Sequence, residues 1–166
     1  MLLSFSQQQG IKPFSKNSET GYQVIANEVE QLELSKMLGR SFYQAVAATP
    51  EDYTDLLDGV TYTDCENNDV STIGLRYVLA YLNYSKYVGT NHLKDTFSGH
   101  RVKNIPESTP ITQGDINRLQ SENRTIALYE WENIKEYLNL NYTLYPLWGY
   151  KSNKMIEKPT IYSIRK

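Results

Sequence analysis

Few residues in this chain have side chains suited to catalysis or metal binding, and they are scattered. There is one cysteine, Cys65, and two histidines, His92 and His100. A Cys–His pair works as a nucleophile only where a helix start or nearby cations lower the thiol pKa. Nothing in the sequence around Cys65 supplies that environment. One cysteine and two histidines also fail to close a tetrahedral zinc site. Asp64, Glu66 and Asp69 lack the spacing of a calcium loop, and no glycine stands where such a loop must turn. The carboxylate pairs Glu51–Asp52 and Asp55–Asp58 fall at helix ends or exposed faces, where solvation accounts for them. No Gly-rich turn precedes a Gly-Lys-Ser/Thr, so there is no phosphate loop. His100-Arg101-Val102-Lys103 offers three cationic groups to a phosphate backbone, a weak footprint. These residues point to no catalytic constellation, no metal and no cofactor, and so to a protein that is not an enzyme.

The bulk properties narrow the field further. The chain has 166 residues, enough for one domain with a real core. Seventeen Lys and Arg against nineteen Asp and Glu leave a formal charge of -2, which argues against a dedicated nucleic-acid binder. A lone cysteine makes a reducing compartment the default. Met1 to Ser6 lacks the basic flank and apolar run of a signal peptide. No window approaches the roughly 18 apolar residues of a membrane span, so no membrane is expected. The aromatic balance is unusual, with 14 Tyr and 4 Phe. Tyrosine suits places where one edge is dry and the hydroxyl must reach water or a partner, which points to large contact surfaces.

The elements that must carry those surfaces read as helices. Residues 1–20 form an expected extended N-terminal arm, with Leu2, Leu3, Phe5, Ile11 and Phe14 as anchors that dock it. Residues 21–148 form the helical domain. Tyr22, Ile25, Val29 and Leu32 set a helix from Gly21 to Leu38, stopped by Gly39. A short helix over Ser41–Ala48 buries Phe42, Ala45 and Val46, and Thr49-Pro50-Glu51-Asp52 starts another. Tyr62-Thr63 reads as a brief extended piece. The central stretch is Ile73 to Val88, capped by Ser71 and stopped by Gly89. Ile73, Tyr77, Ala80, Tyr84 and Tyr87 lie on one face. Residues 90–111 follow as a long loop, in which Phe97 and Val102 flanking Ser98-Gly99 suit a small hairpin. Thr112-Gln113-Gly114-Asp115 then starts a helix over Gln113–Leu138. Its stripe is Ile116, Leu119, Ile126, Ala127, Trp131, Ile134 and Leu138, with Glu130 among the solvated residues and Asn123 needing a partner if buried. Pro146 blocks helix through an aromatic patch at Tyr142 to Trp148. Residues 149–166 form an expected extended C-terminal arm. Lys151, Lys154, Lys158, Arg165 and Lys166 stand there against Glu157, with Ile156, Ile161, Tyr162 and Ile164 as apolar hooks.

The order of these pieces resembles a known family. Met37-Leu38-Gly39 is followed by Phe42-Tyr43, then by Asp55-Leu56-Leu57-Asp58-Gly59 and Tyr62. The Tyr-rich helix Leu79 to Val88, the loop Asp95 to Asn104 with Glu107-Ser108, and the Tyr145–Trp148 segment complete the order. Over Ile11 to Trp148 the chain resembles the head-tail connector (portal-adaptor or neck) proteins of tailed phages, the Bacteroidales-phage, crAss-like type above all. The resemblance implies a mainly α helical bundle with a long loop or small hairpin between its two longest helices. It also implies a structural virion subunit, made in the host cytoplasm and assembled as a homo-oligomeric ring, dodecameric to match the portal. Its partners would be the portal protein, the next tail or neck protein, and DNA passing transiently through the lumen. No catalytic residue carries over. Phe97, Gly99, Arg101, Val102, Lys103, Tyr145, Trp148, Ile161, Tyr162 and Ile164 are the expected interface residues. The alternative is a small intracellular helical regulator that binds protein or DNA through the 95–104 loop.

Overall fold

A computed structural model describes residues 1–14, 19–91, 93–96, 99–102 and 112–148. The fold is mainly helical. Residues 1–20, expected to be extended, contain a short helix instead, α1 (Phe5–Ile11). Ser4 starts it with a reciprocal cap. Its hydroxyl accepts the Gln7 amide at 3.2 Å, and Gln7 Oε1 accepts the Ser4 amide at 2.8 Å. The expected docking is present: Leu2, Leu3 and Phe14 are buried.

The first long helix runs as α2 (Glu19–Val29), a π-helical turn (Glu30–Leu34) and α3 (Ser35–Leu38). The π turn, in which the Ser35 amide bonds back to the Glu30 carbonyl, carries one extra residue per turn. It therefore rotates the apolar stripe. Leu34 and Leu38 are fully buried, whereas Leu32, expected inside, is exposed. Gly39 (φ +85) reverses the chain into α4 (Arg40–Ala48), which buries Phe42, Tyr43 and Val46. A 3-10 turn (Pro50–Tyr53) leads to α5 (Thr54–Asp58). Two short strands follow, β1 (Thr61–Thr63) and β2 (Asp69–Ser71), antiparallel with Tyr62 opposite Val70. Ser71 thus belongs to β2 and does not cap the central helix. Ile73 is exposed, and α6 (Leu75–Asn91) begins after Gly74 (φ +95).

Helix α6 continues through Gly89, although the sequence pattern stops there. A Cβ there would meet the Gln120 side chain. The helix is buried around most of its circumference: Leu75, Val78, Leu79, Ala80, Leu82 and Tyr87 are core. Tyr77 and Tyr84 of the expected stripe are only half-buried. β3 (Leu93–Thr96) and β4 (Gly99–Val102) form a hairpin, and α7 (Gln113–Leu140) starts at a Thr112 cap whose hydroxyl accepts the Asp115 amide. Helices α6 and α7 are antiparallel. The Ile73 amide reaches Glu130, and Ser85 and Gln120 exchange hydrogen bonds a few turns along. Glu130, expected in solvent, is buried because its carboxylate accepts the Ile73 amide at 2.5 Å and Asn133 Nδ2 at 3.1 Å. Ile126, expected in the stripe, is exposed, while Asn123 is buried and donates to the Leu119 carbonyl at 2.6 Å.

Candidate interaction surface

The tyrosines of α6 have partners within the chain. Phe14 stacks on Tyr87 with centroids 4.2 Å apart and also packs on Tyr84 and Tyr22. The Lys12 ammonium lies over the rings of Tyr81 and Tyr84, at 5.0 and 4.9 Å. The backbone of the first residues is clamped as well. Leu2 donates to Glu30 Oε1 at 2.8 Å, Arg76 Nε donates to the Leu2 carbonyl at 3.1 Å, and Tyr22 donates to the Leu3 carbonyl at 2.6 Å. Gln8 is fully buried, donating to the Ala80 carbonyl and accepting from Asn83 Nδ2. Burial, with the Glu30 charge nearby, pushes the Tyr22 hydroxyl well above the ordinary tyrosine range. A hydrogen bond with Tyr81, with burial second, pushes Tyr77 up to about 12. The contact surface implied by so many tyrosines is, on this side, filled by residues 1–14.

The opposite end of the molecule is different. Phe42, Tyr53, Tyr137, Trp131 and Trp148 gather around Tyr145 and one another, with centroid separations between 5.8 and 6.3 Å. Tyr145, expected at an interface, is core: its hydroxyl pairs with that of Tyr137 at 3.0 Å. Burial first, then Tyr137 and the Asp55 charge, raise its pKa far above the usual value. Trp148 is half-buried and donates to Asn139 Oδ1 at 2.9 Å. The side chains flanking these two face outward. Leu140 is 41% exposed, Tyr142 60%, Leu144 68% and Leu147 42%. Glu51, Asp52 and Asp55 are exposed carboxylates flanking Tyr53 in sequence, and the Asp55 charge acts on Tyr145. The sequence signal was the aromatic patch around Pro146, but which of its residues point inward was not readable there.

Of the remaining expected interface residues, three fall in the β3–β4 hairpin. Gly99, Arg101 and Val102 lie in β4, with Arg101 opposite Lys94 and Val102 opposite Leu93. Phe97, Lys103, Ile161, Tyr162 and Ile164 lie outside the described residues. Among the described residues no group of His, Cys, Asp or Glu could hold a metal, and no helix is long and apolar enough to cross a membrane. Asp64 has a local task instead. Its Oδ1 accepts the Glu66 and Asn68 amides at 2.8 Å, closing the β1–β2 turn and holding its carboxyl below the ordinary range.

Two clefts of about 300 and 380 Å³ open on the surface. In the first, between α1, α5 and α6, Arg76 is held by Asp58 and the Leu2 carbonyl. In the second, between the π turn, α6 and α7, Lys86 pairs with Glu28 at 2.8 Å and Arg124 with Glu33 at 2.6 Å. The cations in each are already neutralised, which leaves neither cleft suited to an anion.

A family model described as a family of unknown function, DUF6712, matches residues 34–157. No curated protein and no solved structure matches the chain. The matched span covers most of the chain, from the end of the π turn through the hairpin and both long helices to beyond Trp148, and the chain therefore belongs to the DUF6712 family.

Proposed function

We propose that this protein is a structural virion protein, a head-tail adaptor subunit repeated in a ring beneath the portal, linking portal to tail and leaving a passage for DNA. The observation that supports it most is the pair of long antiparallel helices α6 and α7 with a β-hairpin at their shared end. The resemblance calls for a contact-making loop in that position. A ring subunit needs two different lateral faces, because head-to-tail contacts close into cycles. The exposed Leu140–Leu147 region supplies apolar surface for one of them. The near-zero net charge suits a lumen that lets DNA slide without holding it.

The test is mass in solution together with electron microscopy of the protein mixed with portal rings. A ring seated on the portal is the expected result. A chain that never joins portal rings, even at high concentration, would overturn the reading. Phe97→Asp with Val102→Asp should abolish assembly while leaving the helical circular dichroism intact. Unchanged assembly would remove the hairpin from the interface.

One observation favours the regulator alternative: Lys94 and Arg101 stand directly opposite in the hairpin ladder, a cationic pair on a two-stranded ribbon. Filter binding to duplex DNA at low salt decides it. Tight, sequence-selective binding has no place in an adaptor.

A further inference from the structure

We propose that segment 149–166 of one copy docks on the next copy, on the surface formed by Leu140, Tyr142, Leu144 and Leu147 with the Glu51, Asp52 and Asp55 carboxylates beside it. The proposal rests on the ring reading and adds to it the two surfaces that meet.

Three observations carry it. The first is a run of exposed apolar side chains: among the described residues, Leu140, Tyr142, Leu144 and Leu147 are 41–68% exposed within eight residues of sequence. Buried aromatic rings on the inner side of the same segment fix its backbone, through Tyr145 to Tyr137 and Trp148 to Trp131. Such a cluster on a rigid base is a ready docking platform. The second is charge. Glu51, Asp52 and Asp55 are exposed and flank Tyr53 in sequence; the Tyr53 ring lies 6.2 Å from that of Tyr145, on which the Asp55 charge acts. Residues 149–166 carry five cations, Lys151, Lys154, Lys158, Arg165 and Lys166, against Glu157 alone. Their apolar hooks, Ile156, Ile161, Tyr162 and Ile164, lie between Lys154 and Arg165, with Lys158 among them. An apolar cluster beside carboxylates and a segment of apolar hooks among cations are complementary.

The third is reach. The segment leaves the domain at Trp148, at the edge of the platform. Its hooks lie eight to sixteen residues further on, so they reach at most about 27 to 55 Å from the exit. A domain of this size has a radius of gyration of about 14 Å and is roughly 35 Å across. Copies packed side by side would set equivalent platforms about one domain width apart, which falls within that range. The hooks are therefore long enough to reach a neighbour's platform.

The experiment uses the full chain and a charge swap, read by sedimentation velocity over a concentration series. The first variant carries Lys151→Glu, Lys154→Glu and Lys158→Glu. The second carries Glu51→Lys, Asp52→Lys and Asp55→Lys. Each alone should raise the concentration needed for assembly about tenfold, as exposed ion pairs become like-charge contacts. An equimolar mixture should restore assembly, since each variant's segment then meets the other's platform. Leu144→Asp with Leu147→Asp should weaken assembly with no rescue on mixing, and circular dichroism should show every variant folded. Assembly restored only when both charge sets sit in one chain would mean the segment docks on its own copy, and would overturn the proposal. Variants that assemble like the unaltered chain would overturn it too and leave the ring intact. An unaltered chain that stays monomeric throughout would overturn the ring reading and this docking together.

Discussion

Glu30, Glu130, Gln8 and Asn83 are polar residue types that usually face water, yet here they are among the most buried side chains. Each is inside because a backbone group or another amide needs it. Glu30 takes the Leu2 amide, Glu130 takes the Ile73 amide, and Gln8 spans from α1 to α6. A periodic pattern locates a face but says nothing of an orphan amide arriving from a distant segment. Asn83 is the sharpest case. Among the described residues its Nδ2 bonds to Gln8 alone and its Oδ1 has no partner. Gln8→Ala should therefore cost about 1–3 kcal/mol by stranding a buried donor, read as a lowered urea midpoint with the slope unchanged. An unchanged midpoint would show the pair to be energetically idle. The buried tyrosines make a second prediction. Tyr22 and Tyr145 ionise far less readily in the fold than their ordinary pKa of 10.0. The unfolded chain then releases those protons first, so their stabilisation is complete below pH 10 and is lost as pH rises above it. In an alkaline titration followed at 295 nm, these two should ionise only together with loss of helix. Full ionisation near pH 10 with the helix retained would contradict their burial.

At the scale of elements, helix α6 was legible and its boundaries were not. Its apolar density placed it at the centre, but the first turn drawn from Ile73 lies in the approach to the helix. The reason is a crossing of two backbones. Gly59 and Gly74 both have positive φ, and a Cβ on Gly74 would lie 2.5 Å from the Gly59 nitrogen and the Leu57 carbonyl oxygen. Only glycine fits, so α5 and α6 meet through bare main chain. Gly74→Ala should destabilise by at least about 1–3 kcal/mol from backbone strain alone, with the clash adding to it, measured by thermal unfolding. A Tm within a degree or two of the unaltered chain would show that the crossing relaxes. The N-terminal element is the larger correction. Its apolar residues announced that it docks, while its glutamines and glycine hid that Ser4 and Gln7 cap a helix. Leu3 is completely buried, so Leu3→Ala should cost about 2–5 kcal/mol, a large effect for a residue near a chain end. A cost below that range would mean that residues 1–14 sit on the bundle without being part of its core.

At the scale of the whole molecule the two ends do different things. One end of α6 is sealed by the chain's own first residues. The far end of α7 presents exposed Leu and Tyr beside carboxylates. That asymmetry is what a head-to-tail assembly requires, and it makes the C-terminal segment the place to cut. If the adaptor reading holds, removing residues 149–166 should leave the helical circular dichroism largely intact and abolish incorporation into particles. Loss of the fold would show instead that the segment belongs to the core.

The amino-acid sequence alone determined that the fold is mainly helical, that long helices flank residues 90–111, and that a small hairpin is possible between them. Those features depend on local spacing, capping residues and turn chemistry, all of which are short-range. It also showed the excess of cations and the apolar hooks in the last eighteen positions. Only the tertiary structure decided which tyrosines meet a partner, that Tyr145 turns inward while Leu144 and Leu147 turn outward, and that Glu30 and Glu130 are buried. Those outcomes depend on which distant segment arrives at each helix face, through contacts such as Leu2 to Glu30 or Ile73 to Glu130 that span 28 and 57 residues. Residue periodicity carries no record of such pairings, because the same helical stripe can be covered by any neighbour of matching shape.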